Sequence, residues 1–182
     1  MSKINQQPVP AMLQPIFKHL GIKIKKYRSA AAFEKDLEKF LKRNHVLHLS
    51  TCRNNMPRCT PIEYRLHGLT FYLLSEGGGK FRNLKENRKI AFSIAEPYNS
   101  DEDFFNSKGV QAWGTARVYN SKESPKKFQE ALKKMNIMKA LKRTGQKQLP
   151  ADFNYRIIEI IPDRIKYSNK TEGVYKVTWQ RR

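Results

Sequence analysis

The sequence predicts a mainly β protein with added helices (α+β), in which six short antiparallel strands form a closed or partly closed barrel. Three observations predict this fold class. Short segments with a two-residue period are joined by tight turns, helices occur only at defined interruptions, and the βαβ order of a doubly wound fold is absent. The 182 residues are 39% apolar and include ten Phe, eight Tyr and two Trp, which is enough for one core.

The first three predicted strands form an antiparallel meander. The two-residue period begins at His45 in HVLHLSTC, RNNMP follows as a turn, and His67-Gly68 makes the next tight turn. The six strands are predicted at residues 45–52, 58–66, 69–75, 90–97, 110–119 and 153–162. GVYKVTW, near the end of the chain, is predicted as a further short strand or an extended arm.

Two long helices flank these strands. The first is predicted from an N-cap at Ser29 to a stop at Asn44. Its apolar stripe is Phe33, Leu37, Phe40 and Leu41. The second is predicted from Ser124 to Arg143, with Gly145 suited to its C-terminal stop. Its docking face is Phe128, Ala131, Leu132, Met135, Met138 and Leu141.

The domain boundaries follow from these elements. Residues 1–28 contain three prolines and no sustained period, and are interpreted as an N-terminal arm. Residues 29–168 form the barrel domain, and residues 169–182 a C-terminal arm or strand. The N-terminus lacks the features of a signal peptide and no apolar run is long enough to cross a bilayer, so we expect a cytoplasmic protein without a membrane partner.

The chain is strongly basic, with 36 Lys and Arg against 16 Asp and Glu and a formal net charge of +20. Such an excess attracts phosphates and nucleic acids. The lysines are spread along the whole chain, so a nucleic-acid surface is the less favoured interpretation. The four histidines and two cysteines lack metal-ligand spacing, and no metal site is predicted.

A candidate phosphate site lies in SEGGGKFRNL, residues 75–84, where three glycines precede a short basic helix. Glycines let backbone N–H groups approach an anion, and a helix N-terminus favours a phosphate. Lys80 lies in the first turn and Arg82 follows it. Arg58, on the neighbouring strand, is expected to hold the same phosphate with its planar guanidinium.

The order of segments resembles that of the pyridoxamine 5′-phosphate oxidase-like family of FMN-binding split β-barrels. The matching segments are LHLSTCRNNMPRCTPIEY, LTFYLLS, GGGKFRNLKENRKIAFSI and GVQAWGTARVY. The resemblance covers about residues 30–120, and the later helix and strand keep the family order. It implies a six-stranded antiparallel split barrel that binds FMN between two subunits.

The resemblance also implies a role for each site residue. Arg58, Lys80, Arg82 and the backbone of Gly79 would hold the FMN phosphate. Backbone groups of Thr60, Pro61 and Ile62 would face the polar edge of the flavin ring, and Ser75 would lie near the ribityl chain. Gln111 and Trp113 would approach the cofactor from the second subunit, although Trp113 equally suits a core position.

Two departures from the family pattern limit the activity. Gly79 stands where relatives often have Ser or Thr, and the C-terminal substrate-binding arginines of pyridoxamine phosphate oxidases are missing. Vitamin B6 synthesis is therefore not expected.

The expected function is that of a homodimeric FMN-dependent oxidoreductase that passes electrons from a nicotinamide or other donor to a small acceptor. Its substrate and catalytic residues are not identified. Substrate contacts are expected from the acidic loop at residues 98–107 and from the C-terminal arm. Three alternatives stay open: a split barrel that binds or degrades haem or binds a deazaflavin, a flavin-binding module without turnover, and a nucleic-acid binder.

Overall fold

The computed structural model describes residues 2–102, 107–150 and 153–182. Its strands are β1 (Lys3–Gln6), β2 (Val46–Arg53), β3 (Met56–Glu63), β4 (Arg65–His67), β5 (Thr70–Ser75), β6 (Lys89–Ala95), β7 (Lys108–Asn120), β8 (Arg156–Asn169) and β9 (Val174–Gln180). Its α-helices are α1 (Gln14–His19), α2 (Ala30–Arg43), α3 (Gly79–Glu86), α4 (Pro125–Met135) and α5 (Met138–Arg143). This mainly β composition with few helices confirms the predicted fold class.

The strands join in the order β1-β9-β8-β7-β6-β2-β3, and β5 pairs with both β4 and β8. The pairs β1–β9, β2–β3, β4–β5, β5–β8 and β8–β9 are antiparallel. Beyond the six predicted barrel strands, the described residues contain β1 and β4, which the sequence did not predict, and β9, where GVYKVTW was predicted to form a further short strand or an extended arm. β4 arises because the chain leaves the β2–β3 ladder at Tyr64, which is buried, and pairs next with β5.

The chain divides into two compact units, of which the first comprises Met1–Asn44, Phe92–Trp113 and Pro162–Arg182. Its helix α2 begins as predicted, with the Ser29 side chain accepting a hydrogen bond from the N–H of Ala32, and its C-cap is Asn44. The predicted stripe of α2 is fully buried, and Phe40 packs against Tyr167 of β8 with ring centroids 5.0 Å apart. Residues 1–28 contain β1 and α1, and β1 pairs with β9.

The second unit comprises His45–Ala91 and Gly114–Ile161. Its β2–β3 hairpin turns at Asn54 and Asn55, whose φ angles of 49° and 57° suit a tight two-residue turn. A hydrophobic cluster lies between the helices α4 and α5 and the strands β5 and β8. It contains Tyr72, Phe128, Ala131, Met135, Ile137, Tyr155 and Ile157.

The second long helix predicted from the sequence is interrupted. Asn136 adopts a left-handed conformation with φ 50°, which ends α4 at Met135 and lets α5 start at Met138. The break places Ile137 in the cluster, at 8% exposure, and leaves Met138 39% exposed. The prediction of one continuous helix was therefore wrong. The break at Asn136 turns Ile137 into the cluster in place of Met138, which was predicted on the docking face.

Across the described residues, no helix combines the length and apolar character that a membrane span requires.

Candidate functional site

The glycine-rich segment forms the entry to α3, in the second unit. Gly78 is the N-cap of this helix, with φ 108° and ψ 168°, and no side chain caps the helix N-terminus. That combination of angles is essentially restricted to glycine. The first turn of α3 therefore presents backbone N–H groups that no side chain occupies, which favours an anion there.

Two side-chain contacts hold α3 against β2. Asn83 donates a hydrogen bond from Nδ2 to Oγ1 of Thr51, over 3.0 Å. Arg53 pairs with Glu86 at the C-terminal end of the helix, with 2.8 Å between Nε and Oε2. These contacts fix the second half of α3 relative to β2.

The structure brings together Arg58, Gly79 and Lys80, as the sequence predicted for a phosphate site. Lys80 is only 7% exposed, and its ammonium donates a hydrogen bond to the carbonyl of Gly77 over 2.6 Å. The Arg58 guanidinium packs on Gly79, because a Cβ added there would lie 3.2 Å from Nη1 of Arg58. A side chain at position 79 would require a small shift of the guanidinium, by a few tenths of an ångström.

Arg156 is a further cation of this group that the sequence analysis missed. It begins β8 opposite Ser75 of β5, and its guanidinium lies 4.9 Å from the ring centroid of Phe81. The ammonium of Lys80 lies 5.0 Å from the same ring. The available signal was a lone arginine at the start of a run of apolar residues.

These cations repel one another. Burial, together with the charges of Arg58 and Arg156, lowers the pKa of Lys80 below its ordinary value. Within the described ranges, Arg58, Lys80, Arg82 and Arg156 form no ion pair with a carboxylate. An anion with two charges would remove this repulsion, so the donor set fits a phosphate.

A cavity of about 450 Å³ opens beside this group. Arg58, Gly79, Arg82 and Asn83 line one part of it, and the β2–β3 turn lines the rest. This volume lies in the range of small-molecule sites, about 300–1,000 Å³. Arg82, which is exposed, reaches the same cavity as Arg58.

The residues predicted to face the flavin ring lie on β3. Thr60 pairs with Leu49, Pro61 with His48 and Ile62 with Leu47 of β2. β3 is exposed at six of its eight positions. The hydroxyl of Thr60 is buried without a hydrogen-bond partner among the described residues.

Ser75 ends β5 and is half-buried. Its hydroxyl donates to the carbonyl of Gly77 over 3.2 Å, so it braces the glycine segment. The ammonium of Lys80 shares this acceptor.

Gln111 and Trp113 belong to the first unit, on β7. Gln111 is exposed and Trp113 is partly buried. The guanidinium of Arg164 lies 4.1 Å from the Trp113 ring centroid, so the indole is covered by a cation rather than enclosed in the core. Of the acidic loop at residues 98–107, residues 103–106 lie outside the described part of the chain.

The described part of the chain contains no group of three or more His, Cys, Asp or Glu arranged to hold a metal ion. All four histidines, His19, His45, His48 and His67, are exposed.

Comparisons with known proteins agree with this fold. A putative pyridoxamine 5′-phosphate oxidase from Listeria innocua superposes with a TM-score of 0.57 at 19% identity, over 75% of this chain and 98% of that one. An FAD-binding protein from Mesorhizobium loti gives 0.52 at 13% identity, over 81% and 93%. The haem storage protein HutZ from Vibrio cholerae gives 0.54 at 17% identity, over 71% and 89%.

These likenesses fit a split β-barrel, as predicted, and at such low identity they establish the fold alone. No curated protein matches the sequence significantly. The family model for pyridoxamine 5′-phosphate oxidase matches residues 33–169, which is more than half of the chain and includes the whole α3 site. The chain therefore belongs to the pyridoxamine 5′-phosphate oxidase family.

Proposed function

We propose that the protein binds FMN, with the FMN phosphate at the N-terminus of α3, and that it works as an FMN-dependent oxidoreductase. The observation that carries this proposal is the convergence of Arg58, Lys80 and Arg156 on an uncapped, glycine-led helix, without a carboxylate to neutralise them. Arg82 would add a fourth cation from the wall of the adjoining cavity.

The strength of these contacts suits a resident cofactor. A hydrogen bond to a charged group contributes roughly 1.5–3 kcal/mol, so three give about 5–9 kcal/mol before binding costs. Micromolar affinity corresponds to about 8 kcal/mol. The phosphate would thus supply much of the affinity, and the ring contacts would supply the rest.

The rest of the cofactor would lie along β3 and the end of β5. Backbone groups of Thr60, Pro61 and Ile62 would face the polar edge of the ring, and Ser75 would face the ribityl chain. The flavin supplies the ability to take electrons from a donor and give them to an acceptor. We expect a nicotinamide as the donor.

We further propose a homodimer in which Gln111 and Trp113 of a second subunit approach the flavin. Exposure of β3 at six of eight positions supports this arrangement, since a strand with so little cover suits a ligand and a partner surface. The proposed location is the cytoplasm, where the free cysteines Cys52 and Cys59 would stay reduced.

Haem is the competing cofactor, since the similar Vibrio cholerae protein is described as a haem storage protein. All four histidines of this chain are exposed, and none lines the cavity beside α3. Histidine is a common axial ligand of haem iron, so a lining without histidine favours the flavin at this cavity.

The first test is the visible absorption spectrum of the purified protein, followed by fluorescence titration with FMN and with riboflavin. We expect a flavin spectrum and a preference for FMN over riboflavin of tenfold or more. Arg58→Gln and Arg156→Gln should each reduce that preference. Lys85→Gln, an exposed lysine in the last turn of the same helix, is the matched control.

Equal affinity for FMN and riboflavin would exclude the phosphate role of α3, and a Soret band would replace flavin with haem. Anaerobic reduction of the FMN-loaded protein by NADH or NADPH tests the oxidoreductase part separately. A bound flavin that neither donor reduces would contradict the expected nicotinamide donor.

A further inference from the structure

A large, mainly apolar cavity lies in the N-terminal part of the chain, within the first unit. It has a volume of about 900 Å³, and all of its lining residues fall between Gln6 and Lys26. This volume is in the range of small-molecule sites, about 300–1,000 Å³. The apolar part of the lining consists of Pro8, Val9, Phe17, Ile22 and Ile24.

The segment around this cavity is held in place on two sides. The side-chain amide of Gln6 donates a hydrogen bond from Nε2 to the carbonyl of Lys25 over 2.6 Å, and accepts one from the N–H of Tyr27 over 3.2 Å. Phe17 of α1 is 3% exposed and packs edge-on against Tyr175 of β9, with ring centroids 6.3 Å apart. These contacts give the cavity a fixed frame, as is usual for a ligand site that forms before binding.

The charged residues of the lining are all cations: Lys18, Lys23 and Lys26. All three are exposed, and within the described ranges none of them forms an ion pair with a carboxylate. Residues 1–28 contain no Asp or Glu. The cavity thus combines apolar surface, which favours burial of a hydrocarbon, with positive charge that attracts an anion.

We propose that this cavity binds a long-chain fatty acid, with the hydrocarbon chain along the apolar residues and the carboxylate near the lysines. A hydrocarbon chain gains affinity from every methylene group that it removes from water. A lysine ammonium is a point charge on a flexible stem, so it can follow the carboxylate of acids that differ in length. Inorganic phosphate or a sugar phosphate would leave the apolar lining in contact with water.

The surface of a lipid bilayer is the competing partner. Met12, Ile16 and Leu20 follow one another at four-residue intervals and are 79%, 41% and 56% exposed. None of them lines the cavity, whose apolar residues Val9 and Ile22 are half-buried. A bilayer would contact the protruding side chains and leave the cavity empty, whereas a single hydrocarbon chain can enter it. The cavity therefore favours the fatty acid.

The test titrates the full chain with octanoate, decanoate and dodecanoate by isothermal titration calorimetry, below their micellar concentrations, with saturating FMN and without it. We expect one saturable site per protein chain under both conditions. Two added carbons should raise the affinity about tenfold, because burial of one methylene group raises it about three- to fourfold. Decyltrimethylammonium, which has the chain length of decanoate and a positive head, should bind at least tenfold more weakly than decanoate.

Three variants locate the site. Val9→Asp puts a carboxylate into the apolar lining and should weaken dodecanoate binding about tenfold or more. Val9 lies outside the helices and strands, so we expect the unfolding midpoint without ligand to stay close to that of the wild type. The double variant Lys18→Gln, Lys23→Gln changes only exposed side chains and should weaken binding about threefold or more. Lys3→Gln, an exposed lysine of β1 that does not line the cavity, is the matched control and should change affinity little.

Several results would overturn the proposal. These are the absence of saturable dodecanoate binding, an affinity that does not depend on chain length, and equal affinity for decanoate and decyltrimethylammonium. Unchanged dodecanoate affinity in both Val9→Asp and the double lysine variant would place the binding elsewhere. Binding to vesicles of phosphatidylglycerol and phosphatidylcholine, without binding of dodecanoate, would assign this surface to a membrane.

The outcome is separable from that of the flavin proposal. None of the residues that line the cavity is assigned to the flavin. Failure of FMN to bind would contradict only the flavin proposal, since the fatty acids are also titrated without it. Complete displacement of dodecanoate by FMN would show that the fatty acid occupies the flavin site and would overturn the inference.

Discussion

The backbone of Gly78, with φ 108° and ψ 168°, occupies a region that only glycine readily adopts. Gly77, one residue earlier, has no positive φ, and a Cβ added there would meet nothing within 4 Å. The backbone conformation at position 78 therefore requires glycine, whereas position 77 would accept another residue. The conformation of Gly78 determines where α3 begins.

We predict that Gly78→Ala lowers the free energy of unfolding by about 1–3 kcal/mol, because alanine is strained at this φ and ψ. The same change should weaken FMN binding, since the helix N-terminus must shift. Gly77→Ala is the matched control and should change both quantities little. Urea unfolding and FMN titration measure the two effects, and equal losses in both variants would show that Gly78 has no special backbone role.

Lys80 illustrates a conflict between stability and binding. Its ammonium is buried near two guanidinium groups, and its pKa lies below the ordinary value. The charged form is thus disfavoured in the folded state without a ligand. A phosphate would reverse this, because it stabilises the ammonium and neutralises its neighbours.

We predict that Lys80→Met stabilises the ligand-free protein near pH 7 and weakens FMN binding about tenfold or more, as expected for loss of a charged hydrogen bond. The sign of the pH dependence follows from the lowered pKa. Below that pKa, Lys80 is charged in both the folded and unfolded states, and the destabilisation of the folded state by this buried charge is fully present. Between that pKa and the ordinary value of 10.5, the unfolded state binds more protons, so the wild type gains stability as pH rises.

The stability advantage of Lys80→Met should therefore shrink as pH approaches 10.5. Urea unfolding of both proteins at several pH values measures it, and groups common to both cancel in the difference. An advantage that grows with pH would contradict the assignment of Lys80 as a repelled, buried cation.

At the scale of elements, the break between α4 and α5 depends on one residue. Asn136 is left-handed, with φ 50°, and its N–H bonds to the carbonyl of Lys133 to close the helix. Glycine adopts this conformation without penalty, whereas alanine pays roughly 1–2 kcal/mol. The penalty for asparagine lies between those for glycine and alanine.

We predict that Asn136→Gly raises the free energy of unfolding slightly and that Asn136→Ala lowers it by about 1 kcal/mol. Comparing two substitutions at one position controls for loss of the asparagine side chain. Thermal and urea unfolding provide the measurement. If alanine stabilised the protein, the helix would prefer to continue through residue 136 and the break would not be intrinsic.

The elements with strong local signals were predictable. The stripe and both ends of α2 follow from its period and caps, and the β2–β3 turn follows from two consecutive asparagines. The division of β3 from β4 at Tyr64 was not predictable, because RCTPIEYRL alternates without interruption and only the partner strand changes. Pairing of β1 with β9 is a long-range contact that no local pattern in residues 1–28 indicates.

The candidate site likewise contains residues that local sequence signals predicted and one that they did not. Arg58 and Lys80 were predictable because each adjoins a turn or a glycine-led helix, and the structure places both beside Gly78 and Gly79. Arg156 was missed because its place in the site depends on the pairing of β8 with β5, which brings it opposite Ser75. Sequence patterns predict local geometry, whereas the neighbours of a residue on an adjacent strand are known only once the pairing of the strands is known.

At the scale of the whole molecule, 36 basic residues face 16 acidic ones, so one-to-one pairing would leave 20 basic residues without a carboxylate. Many of the observed ion pairs involve well-exposed side chains, such as Lys42 with Glu38, and exposed pairs contribute only about 0–1 kcal/mol. Repulsion among like charges should therefore dominate the electrostatic free energy of folding. The cations beside α3 concentrate that repulsion where an anion is expected to bind.

We predict that sodium chloride stabilises the fold and weakens FMN binding in the same titration. Salt screens repulsion between exposed charges, because the Debye length falls from about 30 Å at 0.01 M to about 10 Å at 0.1 M. For a chain of this size, each 1 kcal/mol gained raises the unfolding midpoint by about 2–4 °C. Salt also screens attraction between the phosphate and the cations of α3, so FMN affinity should fall while riboflavin affinity changes little.

Thermal unfolding and flavin titration across a chloride series measure the two opposite trends. Chloride is chosen because phosphate or sulfate would compete for the proposed phosphate site at α3. A midpoint that falls with salt would mean that attractive ion pairs outweigh repulsion despite the net charge. An FMN affinity that is independent of salt would mean that the ring, and not the phosphate, determines binding.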